Sequence, residues 1–122
     1  MPIRVGFVGC GGRAQSHMRC LSSLTETKMV AFADIVKSQA VMCAEKFGGN
    51  HYTDHHLMLE KEDLDACYIC LPPFAHTDQE ILCAEKGINI FVEKPVALTM
   101  DKAREIYAAV KRSGIITLVG YQ

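Results

Sequence analysis

Six residues near the start of the chain, Gly9-Cys10-Gly11-Gly12-Arg13-Ala14, fit the pattern G-x-G-x-x-G/A. They follow an apolar run, Ile3 to Val8, and open a stretch with helical spacing. Each small residue has a task in such a turn. Gly9 permits the tight bend, Gly11 lets the backbone approach a pyrophosphate, and Ala14 keeps the helix close against a sheet. The first turn of the helix adds unpaired N–H groups and the positive end of its dipole. The whole segment, Cys10, Gly12 and Arg13 included, is therefore a candidate phosphate cradle. Twenty positions after Ala14, Asp34 closes a second apolar run. A carboxylate there accepts hydrogen bonds from adenosine ribose hydroxyls and repels a 2′-phosphate, which favours NAD. The flexible cation Lys37 nearby is compatible with NADP. The competing role for Asp34 is a cap on the following helix.

Two later segments carry groups able to do chemistry. Leu71-Pro72-Pro73-Phe74-Ala75-His76 leaves one apolar run, and Glu93-Lys94-Pro95 leaves the next. His76 is placed to contact the nicotinamide ribose or to shuttle a proton, the alternative being a first-turn helix residue facing solvent. Lys94 ends a buried strand, a poor place for a merely solubilising charge. It can hydrogen-bond a substrate hydroxyl and ease its deprotonation, the alternative being an ion pair with Glu93. Glu93 can hold Lys94 in place, and Pro95 constrains the turn.

The elements that must position these groups alternate along the chain. Apolar runs predict strands at Ile3 to Val8, Met29 to Ala33, His51-Tyr52, Ala66 to Leu71, Ile88 to Val92 and Ile115 to Val119. Helical spacing predicts helices at Gly12 to Leu24, Ser38 to Phe47, His55 to Leu59 and Ala75 to Lys86. A further helix, capped by Thr99, runs to Ser113 and stops at Gly114. Nearly continuous apolar strands separated by helices imply βαβ units and a parallel sheet covered on both faces. The expected architecture is a doubly wound α/β sheet of six strands in the order 3-2-1-4-5-6. In that order strands 1 and 4 flank the point where ligands bind, so the glycine loop, Leu71 to His76 and Glu93 to Pro95 converge on one crevice edge.

Composition narrows the classes further. The 122 residues are enough for one domain with a core burying roughly 65% of the unfolded surface. A net charge of −1 argues against a strongly basic nucleic-acid surface or a polybasic membrane patch. No apolar run approaches the roughly 20 residues of a membrane span, and the N-terminus lacks the features of a signal peptide. A cytoplasmic location is expected, with the six cysteines as free thiols. Cys67 and Cys70 have a C-x-x-C spacing but lie on an expected strand, where residues three apart face opposite sides, so neither a disulfide nor a shared zinc fits. His51, His55 and His56 offer an H-x-x-x-H spacing without a third ligand nearby, and a solvated loop face is expected in place of a metal site.

With Glu93-Lys94-Pro95, the chain resembles the N-terminal half of the Gfo/Idh/MocA oxidoreductases, the glucose–fructose oxidoreductase and inositol 2-dehydrogenase family. Four segments carry the resemblance: Gly9 to Ala14; Tyr52-Thr53-Asp54 before Leu57-Met58-Leu59; Asp65-Ala66 with Pro72 and His76; and Glu93-Lys94-Pro95 with Ala97 and Thr99. The resemblance implies an NAD(P)-dependent enzyme moving a hydride to or from a sugar, cyclitol or similar small molecule. It implies that Lys94 is the active-site lysine and that Pro72 and His76 line the nicotinamide side. Pro73 stands where the family often has Asn. The family's second domain, which holds the substrate pocket, further catalytic residues and usually the oligomer contacts, lies outside this chain. The chain is therefore expected to bind cofactor without turning over substrate unaided. A non-catalytic nucleotide-sensing module is the rival reading, and the Glu-Lys-Pro element counts against it.

Overall fold

The computed structural model describes residues 2–93 and 99–120. Six parallel strands form one sheet: β1 (Ile3–Val8), β2 (Thr27–Ala33), β3 (Asn50–Tyr52), β4 (Ala66–Ile69), β5 (Asn89–Glu93) and β6 (Thr117–Gly120). Their order is β3-β2-β1-β4-β5-β6, which is the expected doubly wound arrangement. The helices are α1 (Gly12–Ser22), α2 (Lys37–Phe47), α3 (His55–Lys61), α4 (Gln79–Glu85) and α5 (Met100–Ser113).

Two apolar layers hold the sheet. On one face, Ala14, Met18 and Leu21 of α1 and Cys43 and Ala44 of α2 pack on Val5, Phe7, Met29 and Phe32. The spacing of Ala14, Met18 and Leu21 is that of a single helical stripe. On the other face, Met58, Leu59 and Cys83 pack on Val8, Val30, Ile69, Ile90 and Val92. Phe7 and Phe32 are fully buried, each worth about 1.5–3 kcal/mol of burial. They belong to a row of rings crossing adjacent strands: Phe7 pairs in register with Phe32 and Tyr68, and Tyr68 with Phe91. The centroids of Phe7 and Tyr68, and of Tyr68 and Phe91, are 4.8 Å apart. Cys67 belongs to the second layer and Cys70 packs against the first, so the two thiols lie on opposite faces of the sheet.

One expected element changes more than its ends. The helix expected at Ala75 to Lys86 is a 3₁₀ turn at Pro73–Ala75, a break, and then α4 from Gln79. Polar side chains take the backbone groups that a continuous helix would use. Gln79 Nε2 donates to the Ala75 carbonyl at 3.2 Å, and the Thr77 N–H donates to Gln79 Oε1 at 2.7 Å. Smaller differences sit at ends. Helix α1 stops at Ser22, where the Ser23 and Leu24 N–H groups turn back to Cys20 and Leu21. Helix α3 runs on to Lys61, β2 begins two residues earlier, and β6 is Thr117–Gly120. Thr99 caps α5 by accepting the Lys102 N–H, and Gly114 ends it in the left-handed conformation, as expected.

Candidate functional site: the crevice between β1 and β4

The glycine loop leaves β1 in a conformation that only glycine suits. Gly9 has φ of +94°, and a Cβ placed on it would sit 2.3 Å from the Cys70 carbonyl oxygen across the β1–β4 boundary. Gly11 and Gly12 are constrained differently. A Cβ on either meets no described residue within 4 Å, so the space above them is open among the described residues. Gly11 is the N-cap of α1 and offers no side-chain cap, which leaves the N–H groups of the first turn facing that space. Open backbone and an uncapped helix N-terminus together fit a phosphate group.

Cys10 turns the other way. Its N–H donates to Asp34 Oδ2 at 2.8 Å, its carbonyl accepts from Gln15 Nε2 at 3.0 Å, and its side chain is buried. Burial pushes its thiol pKa far up. Cys10 thus shapes the loop from below, with no group left over for a ligand. Asp34 does more than the sequence suggests. Besides the Cys10 N–H, it accepts the Val36 N–H on Oδ1 at 2.8 Å, and Val36 is the N-cap of α2. The carboxylate therefore both ties the glycine loop to β2 and supports the start of α2. With about four lone-pair directions and two taken, it retains room for ribose hydroxyls.

Two hollows flank the loop. One, of about 100 Å³, is lined by Gly9, Asp34, Ile35, Thr53, His55 and Leu71, among others. Ile35 is 91% exposed, an apolar residue standing free at its edge. The other, of about 290 Å³, is lined by Gly11, Gly12, Arg13, Ala14, Cys70, Leu71, Pro72 and Glu93. Leu71 belongs to both, so the expected convergence of the glycine loop, the segment after β4 and the end of β5 is present. A wider groove of about 630 Å³ lies at the opposite end of the strands, beside the ends of α1 and α2. Helix C-termini present carbonyls there, which disfavour phosphate despite Arg4, Lys28 and Lys46.

His76 does not face solvent. Its Nε2 donates to the Leu71 carbonyl at 3.2 Å, and its Nδ1 is hydrogen-bonded to Glu80, with both side chains fully buried. Since a carbonyl only accepts, Nε2 carries a proton, and one further proton is shared between Nδ1 and the carboxyl group. Burial alone would lower the pKa of His76, but Glu80 outweighs it and the pKa is raised. Both ring nitrogens are engaged inside the protein. The ring thus fixes the Leu71 carbonyl, and hence the wall shared by the two hollows.

Glu93 has partners that the sequence does not reveal. Its Oε2 lies 2.9 Å from His17 Nε2, and its Oε1 lies 3.9 Å from Arg13 Nε. Arg13 and His17 are one turn apart on α1, so the helix that presents the phosphate cradle also grips the end of β5. The i, i+4 spacing is visible in the sequence, but its partner is 76 residues away. Cys70, beside this pair, has its thiol pKa pushed up to about 12 by burial and by Glu93. Lys94 and Pro95 lie outside the described residues. No helix among the described residues is long and apolar enough to cross a membrane.

Comparison with known proteins agrees with this geometry. The sequence model of the Gfo/Idh/MocA family, described as an oxidoreductase family with an NAD-binding Rossmann fold, matches residues 3–121. The chain is 32% identical over 121 residues to an NAD(+)-dependent scyllo-inositol 2-dehydrogenase of Bacillus subtilis, a match covering 98% of this chain and 35% of that protein. Among solved structures, the WlbA dehydrogenase of Chromobacterium violaceum in complex with NADH and UDP-GlcNAcA superposes with a TM-score of 0.92 at 26% identity. That match covers 98% of this chain and 35% of the other. A 3-ketoreductase of Actinomadura kijaniata in complex with TDP-benzene and NADP superposes with a TM-score of 0.88 at 27% identity, covering 98% and 37%. The chain spans about a third of the length of the curated relatives it matches.

Proposed function

The chain belongs to the Gfo/Idh/MocA family of NAD-binding oxidoreductases, and from that premise we propose that it is the cofactor-holding part of a dehydrogenase acting on a sugar, cyclitol or similar small molecule. The observation that carries the reading is the open backbone of Gly11 and Gly12 beneath the uncapped N-terminus of α1, with Asp34 across the loop at the end of β2.

When bound, the nicotinamide supplies hydride transfer. The chain's own residues bind and orient. Gly11, Gly12 and the first turn of α1 receive the pyrophosphate through N–H groups. Asp34 receives ribose hydroxyls on the lone pairs not used by Cys10 and Val36, and its charge disfavours a 2′-phosphate. Leu71 and Pro72 wall the hollow on the nicotinamide side, and His76 acts as a positioning residue that holds the Leu71 carbonyl from below. Glu93, gripped by His17 and Arg13, anchors the end of the strand from which Lys94 emerges, and Lys94 is proposed as the group that eases deprotonation of a substrate hydroxyl. Substrate selection and subunit contacts are assigned to the further two-thirds of sequence seen in the relatives.

Two measurements on this chain test the reading. Titration with NADH, followed by nicotinamide fluorescence, should show saturable binding. Incubation with NAD and a panel of inositols and sugars should give no NADH. Absence of NADH binding would overturn the cofactor assignment, and turnover by this chain alone would overturn the placement of substrate binding elsewhere.

A further inference from the structure

Away from the glycine loop, two segments bring two imidazoles and two carboxylates together. His55 and His56 open α3, and their rings stack with centroids 4.1 Å apart. Their Nε2 atoms converge on one carboxylate from the turn before α4: His55 Nε2 is 2.7 Å from Asp78 Oδ1, and His56 Nε2 is 2.6 Å from Asp78 Oδ2. Behind His56, its Nδ1 lies 2.9 Å from Asp54 Oδ1, and Asp54 is itself fixed as the N-cap of α3. Ligand atoms of Asp54, His55 and His56 all lie within 4.8 Å of one another.

The proton inventory of this cluster is instructive. An ionised carboxylate only accepts hydrogen bonds. His56 meets a carboxylate at each ring nitrogen, so without a metal it is satisfied only as an imidazolium. A divalent cation satisfies the same atoms in another way. It replaces the protons at the two Nε2 positions and binds an Asp78 oxygen, while His56 Nδ1–H still donates to Asp54. Two neutral imidazoles and two carboxylates then balance the doubly charged ion.

We propose that His55, His56 and Asp78 form a binding site for a divalent transition-metal cation of the zinc class, with Asp54 as the outer carboxylate that orients His56. Nitrogen and oxygen donors of this kind suit zinc, with bonds of about 2.0–2.2 Å. Each Nε2 lies at hydrogen-bond distance from its own Asp78 oxygen, so a cation takes its place by drawing the two rings onto a shared position beside that carboxylate. The side chains are 15%, 55% and 40% exposed for His55, His56 and Asp78, which leaves water access to the remaining coordination positions. The carboxylate behind His56 is the outer partner that metal-binding histidines ordinarily have. The sequence suggests no such site because the third ligand lies 22 residues beyond His56. His51, the histidine that completes the H-x-x-x-H spacing, stands on β3 outside this group. A bound cation would brace α3 against the turn before α4, where His55 and Gln79 both line the adenosine-side hollow.

A second group, His17, Cys70 and Glu93, serves as the control. There the Arg13 guanidinium stands beside the carboxylate, and the third donor is sulfur, so binding at that group would show in the cobalt spectrum. The test uses the tag-free chain, stripped of metal, titrated with zinc by calorimetry and with cobalt(II) by absorption. The expected result is one ion per chain, proton release on binding, and a cobalt spectrum without a sulfur charge-transfer band. His56→Asn and Asp78→Asn should each abolish binding, and Asp54→Asn, which preserves the helix cap, should weaken it by about 10–100-fold. His51→Gln and Cys70→Ser should leave it unchanged. No binding in excess zinc, binding that survives His56→Asn or Asp78→Asn, or a sulfur charge-transfer band that Cys70→Ser removes would each overturn the proposal. The cobalt spectrum of the unmodified chain decides the donor type even if a variant fails to fold.

Discussion

Gly9 and Gly11, two residues apart, should fail in different ways when given a side chain. At Gly9, Gly9→Ala forces a Cβ to within 2.3 Å of the Cys70 carbonyl oxygen and 2.9 Å of its carbon, both backbone atoms. The positive φ adds strain of about 1–2 kcal/mol, and relieving the clash by moving β1 from β4 adds about 1–3 kcal/mol. A total of about 3 kcal/mol lowers Tm by roughly 12 °C for a chain of this length. At Gly11 the backbone has φ of −80° and a Cβ meets none of the described residues, so Gly11→Val costs about 1 kcal/mol or less in stability. The valine instead fills the space assigned to the pyrophosphate and should abolish dinucleotide binding. The assay is thermal unfolding of each variant with and without NADH. In the absence of ligand Gly9→Ala should melt far below the parent and Gly11→Val close to it. With NADH the parent should gain stability and Gly11→Val should gain none. A Gly11→Val chain that still responds to NADH would refute the placement of the pyrophosphate. A Gly9→Ala chain as stable as the parent would refute the close-approach argument.

Asp34→Ala should weaken NAD binding and relax the preference over NADP, measured by parallel titrations; it also orphans the Cys10 and Val36 N–H groups, so stability should fall by about 1–3 kcal/mol. His76 has a folded-state pKa above its ordinary value, so its contribution to stability is complete at pH values below the unfolded pKa and is lost as pH rises through the folded one. Unfolding free energy measured from pH 6 upward should therefore decline, and Glu80→Gln should flatten that slope. Lys94→Met, made in a form of the protein that turns over substrate, should cut kcat while leaving NAD affinity nearly intact; equal loss of both would make Lys94 a cofactor-binding or structural residue. In the folded chain an aromatic disulfide reagent should label exposed Cys20 first and leave buried Cys10, Cys43, Cys67 and Cys83 unlabelled until unfolding.

The strand order and the crevice were legible because local signals carried them. Glycines, prolines and apolar runs each report on a few neighbouring residues, and the glycine-loop pattern with right-handed crossovers points to the doubly wound order. The opposite-facing thiols of Cys67 and Cys70 follow from strand periodicity alone. What stayed hidden depends on side-chain partners, some local and some distant. The break before α4 arises from Gln79 and His76 taking backbone and buried partners, which outweighs the helical pattern of Ala75 to Lys86. Glu93 reads as a neighbour for Lys94, and among the described residues it also meets His17 and Arg13 on α1, while Asp78 meets His55 and His56 only through the fold. Cys10 illustrates the limit of a motif. Its place in the glycine loop suggests a ligand contact, while its N–H, carbonyl and thiol all serve the protein.

The central claim is a dinucleotide held over the glycine loop, with NAD preferred through Asp34. The most direct measurement is the melting temperature of the chain in a titration with NAD, NADH, NADP and NADPH. A ligand at a hundred times its Kd stabilises the folded state by about 2.7 kcal/mol, or on the order of 10 °C for a domain of this size. That shift is expected with NAD or NADH, and a smaller one with the phosphorylated forms. No shift with any of the four, or a larger shift with NADP and NADPH, would contradict it.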